Sequence, residues 1–529
     1  MKKRLIALLL VGCMALGLAA CGKEEKEISY EVSDEPVTIT YYYDNGAGGV
    51  QQYTEQVEQR LNEILQGIEG YEHITIELYP SGSHQRDLTL AQASGDPVDL
   101  VSTWGLDLNQ MIKNGDFIEL DSLMKQFPDA VADIPEWIVD YGKVFDHQYF
   151  IPTYQQVSNL GFFVVPEDYL NMYMKSTGKT MEDVSKLVTK GTLDDKLDFL
   201  EELCLAVREG TGSKNKWIFP EYNWNTGSNT LSMGYFNQEY LGNQQFSPWV
   251  MREGEDGPEY WGYTEEFKKI MERYAEWYQK GLLHPDCTSI DSQKFTGTNF
   301  LNDSSYVNIF VQDTCSEEYL SEYYTDEYGL STVAIRNTDH AYVPSEWEAG
   351  GHAIGADCEH PAEAMMIIEL LRSEKGEEFY NTLVYGLEGI HWEWADQEND
   401  EITTLEFDGK QGGSATCTYS NYKWSQGNVF HAWKNQSYRE GFNEYVIENV
   451  EKSEDTVFSP AMGIAWDFSD VKNQFIQVTA VENEYKRTIY TADDWEKRYD
   501  EYIEKLEAAG LQDVLDELDR QYQEVLKSK

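Results

Sequence analysis

Gln148-Tyr149-Phe150-Ile151-Pro152-Thr153-Tyr154-Gln155-Gln156-Val157 divides the chain. Before it, apolar strands alternate with amphipathic helices, and after it the same alternation starts afresh. Pro152 fixes its own φ and pushes Ile151 towards an extended backbone. Tyr149, Tyr154, Gln155 and Gln156 cluster beside it. Extended backbone flanked by aromatic rings and planar amides suits a crossing between two domains with a polar ligand in the cleft. An ordinary buried strand end reads the same way, so the flanking sequence has to decide.

Towards the N-terminus, Val37 to Tyr43 is a β-rich run ending at Asp44-Asn45-Gly46. Val57, Leu61, Ile64, Leu65 and Ile68 fall on one helical face, and Ile74, Ile76 and Leu78 alternate as a strand. Leu88 to Ala93 reads as a helix stopped at Ser94-Gly95-Asp96-Pro97, and Val98 to Thr103 reads as a short buried strand followed by Trp104. This β-α-β-α-β order predicts an α/β domain with a largely parallel sheet. Ligands of such sheets sit beyond the carboxyl ends of the strands, which puts Asp44, Asn45 and Trp104 at site-like positions.

Towards the C-terminus a second α/β segment begins at Asn159. Strands are expected at Gly161–Val165, Trp217–Pro220, Val307–Val311 and Ser331–Ile335. Helices are expected at Leu193–Val207, Tyr263–Lys280, Pro361–Arg372 and Lys375–Tyr385. Glu393 to Gly413 reads as an acidic hairpin loop. Trp495, Tyr499, Tyr502 and Leu506 share one helical face, Gly510 breaks the helix, and Val514, Leu518, Tyr522 and Val525 share the next. That is a helical hairpin docked on the body by its apolar seams.

The ends and the charge narrow the class. Lys2, Lys3 and Arg4 precede an apolar stretch from Leu5 to Ala20, the form of a secretory signal and too short for a stable membrane span. Leu18-Ala19-Ala20-Cys21 then reads as a cut site before a cysteine, and residues 21–35 as a charged tether. The formal net charge of −53 makes nucleic acid and anionic headgroups poor partners. Thirty-six Tyr and 14 Trp offer many rings with an apolar face and a polar edge. Cys204, Cys287, Cys315, Cys358 and Cys417 are widely spaced, an odd number without a C-x-x-C, and read as small buried hydrophobes. No metal site or cofactor is expected. Asp396, Glu398, Asp400 and Glu401 lack the glycine and later glutamate of a calcium loop, and Gly46 to Gly49 lacks the Lys-Ser/Thr of a phosphate cradle.

Several stretches together resemble a known family. The Leu18–Cys21 lipobox, Ala93–Val101, Asn114–Asp121, Tyr149–Pro152, Gly281–Asp286 and His360–Ala364 look like the carbohydrate-type (family 1) extracellular solute-binding proteins of ABC importers. Tyr385-Gly386-Leu387-Glu388-Gly389-Ile390-His391-Trp392 resembles an element of the LipO-type lipoproteins, and Trp495 to Lys529 resembles their DUF3502-type extension. The resemblance implies an α/β, two-lobed, periplasmic-binding-protein-like fold of type II with a hinge. It implies an oligosaccharide ligand, ABC permease partners, no enzymatic activity and a monomer lipid-anchored at Cys21 on the extracytoplasmic face of the cell membrane. The glycine-rich run after Asn45 departs from the family pattern. The expected organisation is a signal at 1–20 and a tether at 21–35. The N-terminal lobe takes 36–153 plus about 296–345, the C-terminal lobe 154–295 plus about 346–455, and the helical extension 456–529. Interlobe crossings are expected at Tyr149–Val157, Ser292–Thr298 and Val343–Trp347.

A sugar site needs flat rings for the C–H face of a pyranose and planar polar groups for its hydroxyls. Trp104, Tyr154, Trp224 and Trp347 are the stacking candidates. Asp44, Asn45, Gln155, Asn225 and Glu348 are the hydrogen-bonding candidates, with Gln312 behind them. Packing roles for the rings and caps or turns for the polar residues are the plainer readings. A surface sensor or adhesin without transport would share the cleft. A surface glycosidase would need two carboxylates astride the bond, and 94 acidic residues supply such pairs by chance.

Overall fold

The structure is a computed structural model. It describes residues 29–45, 51–132, 134–144, 147–155, 160–219, 239–240, 249–251, 257–287, 305–313, 315–343, 350–406, 419, 423–435, 456–458, 464, 466–485 and 488–528.

The first lobe grows from three parallel strands, Val37–Asp44 (β1), Ile74–Ser81 (β2) and Leu100–Ser102 (β3). β1 pairs with β2 along its whole length, from Val37 opposite Ile74 to Asp44 opposite Ser81, and with β3 at Tyr41 opposite Leu100. Ile39, Tyr41 and Tyr43 on one face are fully buried, and Thr40 and Tyr42 on the other are buried too, as a central strand covered on both faces requires. Helix Thr54–Gln66 (α1) joins β1 to β2, burying Val57, Leu61, Ile64 and Leu65. Helix His84–Ser94 (α2) joins β2 to β3 and ends at Gly95, whose φ of +77° is the left-handed stop that glycine tolerates. Helix Leu108–Asn114 (α3) follows. The lobe's last strand before the chain leaves is Phe150–Pro152 (β4).

The second lobe is built on Leu160–Pro166 (β5), buried at every position. Helices Leu193–Thr211 (α4) and Glu265–Gln279 (α5) cover it through Phe199, Leu200, Phe267 and Tyr274. Ile309–Asp313 (β6) and Thr332–Arg336 (β7) pair antiparallel with its two edges. This sheet is therefore antiparallel, not the parallel repeat of the first. Trp217 makes only a bridge to Tyr306 instead of the expected strand, and the buried Asn308 amide pins Phe219 through two hydrogen bonds of 3.1 Å.

The chain then returns. Ala341–Val343 (β8) joins neither main sheet, and Gly351–Ile354 (β9) inserts into the first sheet, antiparallel to both β3 and β4. Among the described residues the first sheet is thus ordered β2-β1-β3-β9-β4. Helices Pro361–Leu370 (α6) and Glu377–Tyr385 (α7) add Ile367, Ile368 and Leu383 to its core. Trp392–Asp396 and Glu401–Thr404 form the expected acidic hairpin, turned by Asp396, whose carboxylate accepts from Glu398 N and Asn399 Nδ2. Thr456–Phe458 (β10) then pairs parallel with β8.

Two expectations about organisation need correction. β6 and β7, within 296–345, belong to the second lobe, and β9, α6 and α7, within 346–455, belong to the first. The physical reason is edge pairing: the fully apolar β5 needs a strand on each side, while only glycine fits at 351, where a Cβ would lie 2.4 Å from the Ile151 carbonyl oxygen. Ser292–Thr298 lies outside the described residues, but α5 before it and β6 after it are both in the second lobe. The lobe changes therefore fall after Pro152, between β7 and β9, and between Asn435 and Ile464.

The extension comprises Lys472–Tyr485 (α8), Trp495–Ala508 (α9) and Leu511–Ser528 (α10). Tyr502, Leu506, Val514 and Leu518 join the second lobe's core beside Trp261 and Phe267. Gly510 turns between α9 and α10 at φ +91°. Cys204 and Cys315 are buried, and burial pushes the Cys204 thiol up to about 11.

Candidate functional site

The strand order gathers residues from distant sequence at one sheet edge. The carboxyl ends of β1, β2, β3 and β4 and the amino end of β9 all meet there. Asp44 ends β1 opposite Ser81, and the Asn45 N–H donates to Ser81 O at 2.9 Å. After β3, Thr103 N–H donates to Gly351 O at 2.9 Å. After β4, Thr153 N–H donates to Gly350 O at 3.1 Å. Gly350 has φ +70°, and a Cβ on it would lie 2.8 Å from Trp104 N. The turn bearing Trp104 and the return from the second lobe are thus fitted against each other.

Five of the sequence-derived candidates are brought to this edge: Asp44, Asn45, Trp104, Tyr154 and Gln155. Asp44 and Trp104 are half-buried. Asn45, Tyr154 and Gln155 are 2%, 4% and 5% exposed. Tyr154 is anchored by Gly427 O and Val429 N, and its ring meets Phe430 edge-on at 5.0 Å. It is part of the lobe's core as it leaves for the crossing. Trp224, Asn225, Trp347, Glu348 and Cys21 lie outside the described residues. Gln312 sits in β6 opposite Gly161.

Two adjoining cavities open along the same edge. One of about 540 Å³ is lined by Asp44, Gly82, Ser83, His84, Gln85 and Gly105 among others. The next, about 590 Å³, is lined by Gln51, Tyr53, Thr54, Ser81, Ser83, Arg86 and Asp87 among others. His84 is buried with Nε2 2.7 Å from Ser102 O, and burial lowers its pKa. Arg86 and then the Ser81 hydroxyl hold the Asp87 carboxyl below the usual carboxylate range. The walls therefore offer a guanidinium, carboxylates, amides and hydroxyls, a set suited to a neutral polyhydroxylated ligand.

Behind the edge lies a polar network that the sequence did not signal. Tyr41 OH donates to Gln426 Oε1 and lies 3.0 Å from His352 Nε2. Arg372 Nη1 is 3.4 Å from His352 Nδ1, and Arg372 Nη2 donates to Ile151 O and Pro152 O, each at 2.9 Å. Burial and then the Arg372 charge push His352 well down, so the ring is neutral. Arg372 lies two residues past the end of α6, a helix whose residues read as apolar, so only knowledge of β4's neighbours would have singled it out.

Among the described residues, Glu119, Asp121 and His147 bring possible metal-ligand atoms within 4.8 Å of one another. His147 Nδ1 lies 3.7 Å from Glu119 and 3.5 Å from Asp121, and all three side chains are partly exposed.

A domain model described as a domain of unknown function, DUF3502, matches residues 460–527. A carbohydrate ABC transporter substrate-binding protein of Streptococcus pneumoniae is 25% identical over 275 residues, and the chain spans about half the length of that curated relative. The crystal structure of the N-glycan transport solute binding protein NgtS from Streptococcus pneumoniae superposes with a TM-score of 0.68, at 18% identity, covering 93% of this chain and 99% of that one. An extracellular solute-binding protein from Bifidobacterium longum subsp. infantis gives 0.61, at 13% identity, covering 92% and 98%. The two-lobed fold with C-terminal helices is that of these neighbours, and the resemblance to carbohydrate-type solute-binding proteins with a DUF3502 extension holds.

Proposed function

We propose that this chain captures an oligosaccharide between its lobes and hands it to an ABC importer, as a lipid-anchored binding protein without enzymatic activity. One observation carries the reading. Asp44, Trp104 and the two cavities share one sheet edge, and the first crossing leaves from that same edge. A ligand seated there would be within reach of both lobes once they close, and its contacts with both would favour the closed state. The likeness to an N-glycan transport binding protein over nearly the whole chain supports the same ligand class. The name of the curated relative supports a binder in place of a catalyst. Thioether linkage of a diacylglycerol at Cys21, a monomeric state and an extracytoplasmic address belong to the same proposal. They rest on the Leu18–Cys21 motif.

The test is titration calorimetry of the chain from residue 22 onward against Man5GlcNAc, Man1GlcNAc, nystose, kestose, maltohexaose, maltose, xylohexaose and xylobiose. At least one is expected to bind in the micromolar range or tighter, with no new reducing ends after long incubation. Binding of none, or release of product, would overturn the reading. Radiolabelled palmitate should enter the full-length protein and be absent from Cys21→Ala.

A further inference from the structure

Among the described residues, Tyr53 and Asp400 are the non-glycine positions with left-handed backbone. Asp400 turns a hairpin, where that conformation suits an aspartate. Tyr53, at φ +64° and ψ +16°, is different: a bulky side chain is held there only at a cost in stability. Burial does not offset that cost, because Tyr53 is 40% exposed. The surroundings nevertheless fix it. Its carbonyl accepts the Val57 N–H of α1 at 3.0 Å, and its ring stands edge-to-face with His391, centroids 5.6 Å apart. His391 is itself set by the Leu387 N–H on Nδ1 at 2.8 Å. Gly386 passes so close that a Cβ would lie 2.5 Å from that nitrogen. Two segments more than 300 residues apart therefore place one partly exposed tyrosine at the wall of the 590 Å³ cavity, which Gln51, Ser83 and Arg86 also line.

The strand order says where along the edge this ring lies. The first crossing leaves from β4 at one side of the sheet, whereas the Tyr53 cavity borders β1 and β2 at the other. Four interstrand steps of about 4.8 Å separate β4 from β2, roughly 19 Å. That is the span of a short oligosaccharide, not of one ring. We propose that Tyr53 is the outermost stacking platform of the cleft, so that it discriminates long oligosaccharides from short ones. The inference rests on the sugar-binding reading above and deepens it.

The experiment compares wild type, Tyr53→Ala, Tyr53→Phe and Tyr53→Gly by calorimetry and thermal unfolding. The probes are the longer and shorter members of whichever series binds: Man5GlcNAc and Man1GlcNAc, nystose and kestose, maltohexaose and maltose, or xylohexaose and xylobiose. Tyr53→Ala is expected to weaken the longer sugar at least tenfold and the shorter less than twofold, with Tyr53→Phe within twofold of wild type on both. Tyr53→Gly should lose the same affinity yet melt about 2–4 °C above Tyr53→Ala, because glycine relieves the backbone. Equal losses on both lengths, or no loss, would overturn the length role and leave sugar binding standing. Tyr53→Gly no more stable than Tyr53→Ala would remove the strained-backbone premise. A wild type that binds none of the panel overturns the inference together with the reading beneath it.

Discussion

Arg372 holds Pro152: its Nη2 donates to the Pro152 carbonyl and to that of Ile151, both at 2.9 Å, at the point where the chain leaves the first lobe. The guanidinium is 3% exposed at the residue level, and burial pushes its pKa down to about 9, which leaves it charged at neutral pH. Arg372→Met would leave the buried Pro152 carbonyl without its donor, at ~1–3 kcal/mol, and the Ile151 carbonyl with its ladder bond to β9 alone, partly offset by no longer burying a cation. A net loss of about 1–2 kcal/mol is expected in urea unfolding. Arg372→Lys should recover less than half of it, because an ammonium has no second arm to keep the Nη1 contacts with Ile368 O and His352. Wild-type stability in Arg372→Met would show that the contact is incidental to the hinge.

Across the lobes, Lys113 at the end of α3 donates to Asp467 Oδ2 at 2.6 Å, and Asp467 leads into the extension on the second lobe. Lys113 chiefly, with Ser469, holds the Asp467 carboxyl down to about 2 against an ordinary 3.8. A depressed carboxylate contributes stability that is complete above the unfolded pKa and is lost as pH falls from about 4 to 2. The side chains are 29% and 36% exposed, so solvent screening limits the contribution to under about 1 kcal/mol. Asp467→Asn should therefore destabilise slightly at pH 6, less in 1 M salt, and less than half as much at pH 2. A difference undiminished at pH 2 would assign the effect to something other than this ion pair.

What the sequence revealed follows from the range of each signal. Helical faces such as Val57–Leu61–Ile64–Leu65, and the stop at Gly510, are local and were readable to within a few residues. So was the edge position of Asp44, Asn45 and Trp104, because β-α-β order fixes strand direction. The exchange of 296–345 and 346–455 between lobes was not readable. Which sheet a short apolar strand joins depends on edge partners hundreds of residues away, as with β9 between β3 and β4. Tyr53 escaped for a related reason: its sequence context is that of a helix start, and only the folded φ reveals the strain.

Glu482 docks the extension. Its Oε2 accepts from Tyr260 OH at 2.6 Å and from Tyr502 OH, while Tyr499 OH donates to Gly262 O at 2.8 Å. The carboxylate is 4% exposed, so its alternative to these partners is an unsolvated charge. Glu482→Ala removes the acceptor of two buried hydroxyls that lie 3.2 Å apart and can still bond each other, so one donor is left unpaired and the cost should be about 1–3 kcal/mol. Tyr502→Phe removes one donor and should cost about 1 kcal/mol. Chemical denaturation reads both. An extension that unfolds in a separate, earlier transition in Glu482→Ala but not in wild type would confirm that the network joins it to the second lobe. A single unchanged transition would show that the apolar face of α9 and α10 suffices.

Trp104 and Gly350 give the last prediction, because their fit separates binding from folding. Trp104 is half-buried at the sheet edge, and its backbone N lies 2.8 Å from where a Cβ at 350 would stand. Trp104→Ala removes a ring without touching the strands beneath it. The affinity for the sugar found by calorimetry should fall at least tenfold, about 1.4 kcal/mol, with thermal unfolding within 2–4 °C of wild type. Gly350→Ala acts differently. It adds a methyl against fixed backbone at φ +70°, so it must shift the turn at Thr103 and Trp104 or the return to β9. Affinity and stability should then fall together. If Trp104→Ala leaves affinity intact while Gly350→Ala lowers it, the edge still binds sugar but stacks it on another ring. If neither changes affinity, the ligand does not sit at this end of the strands.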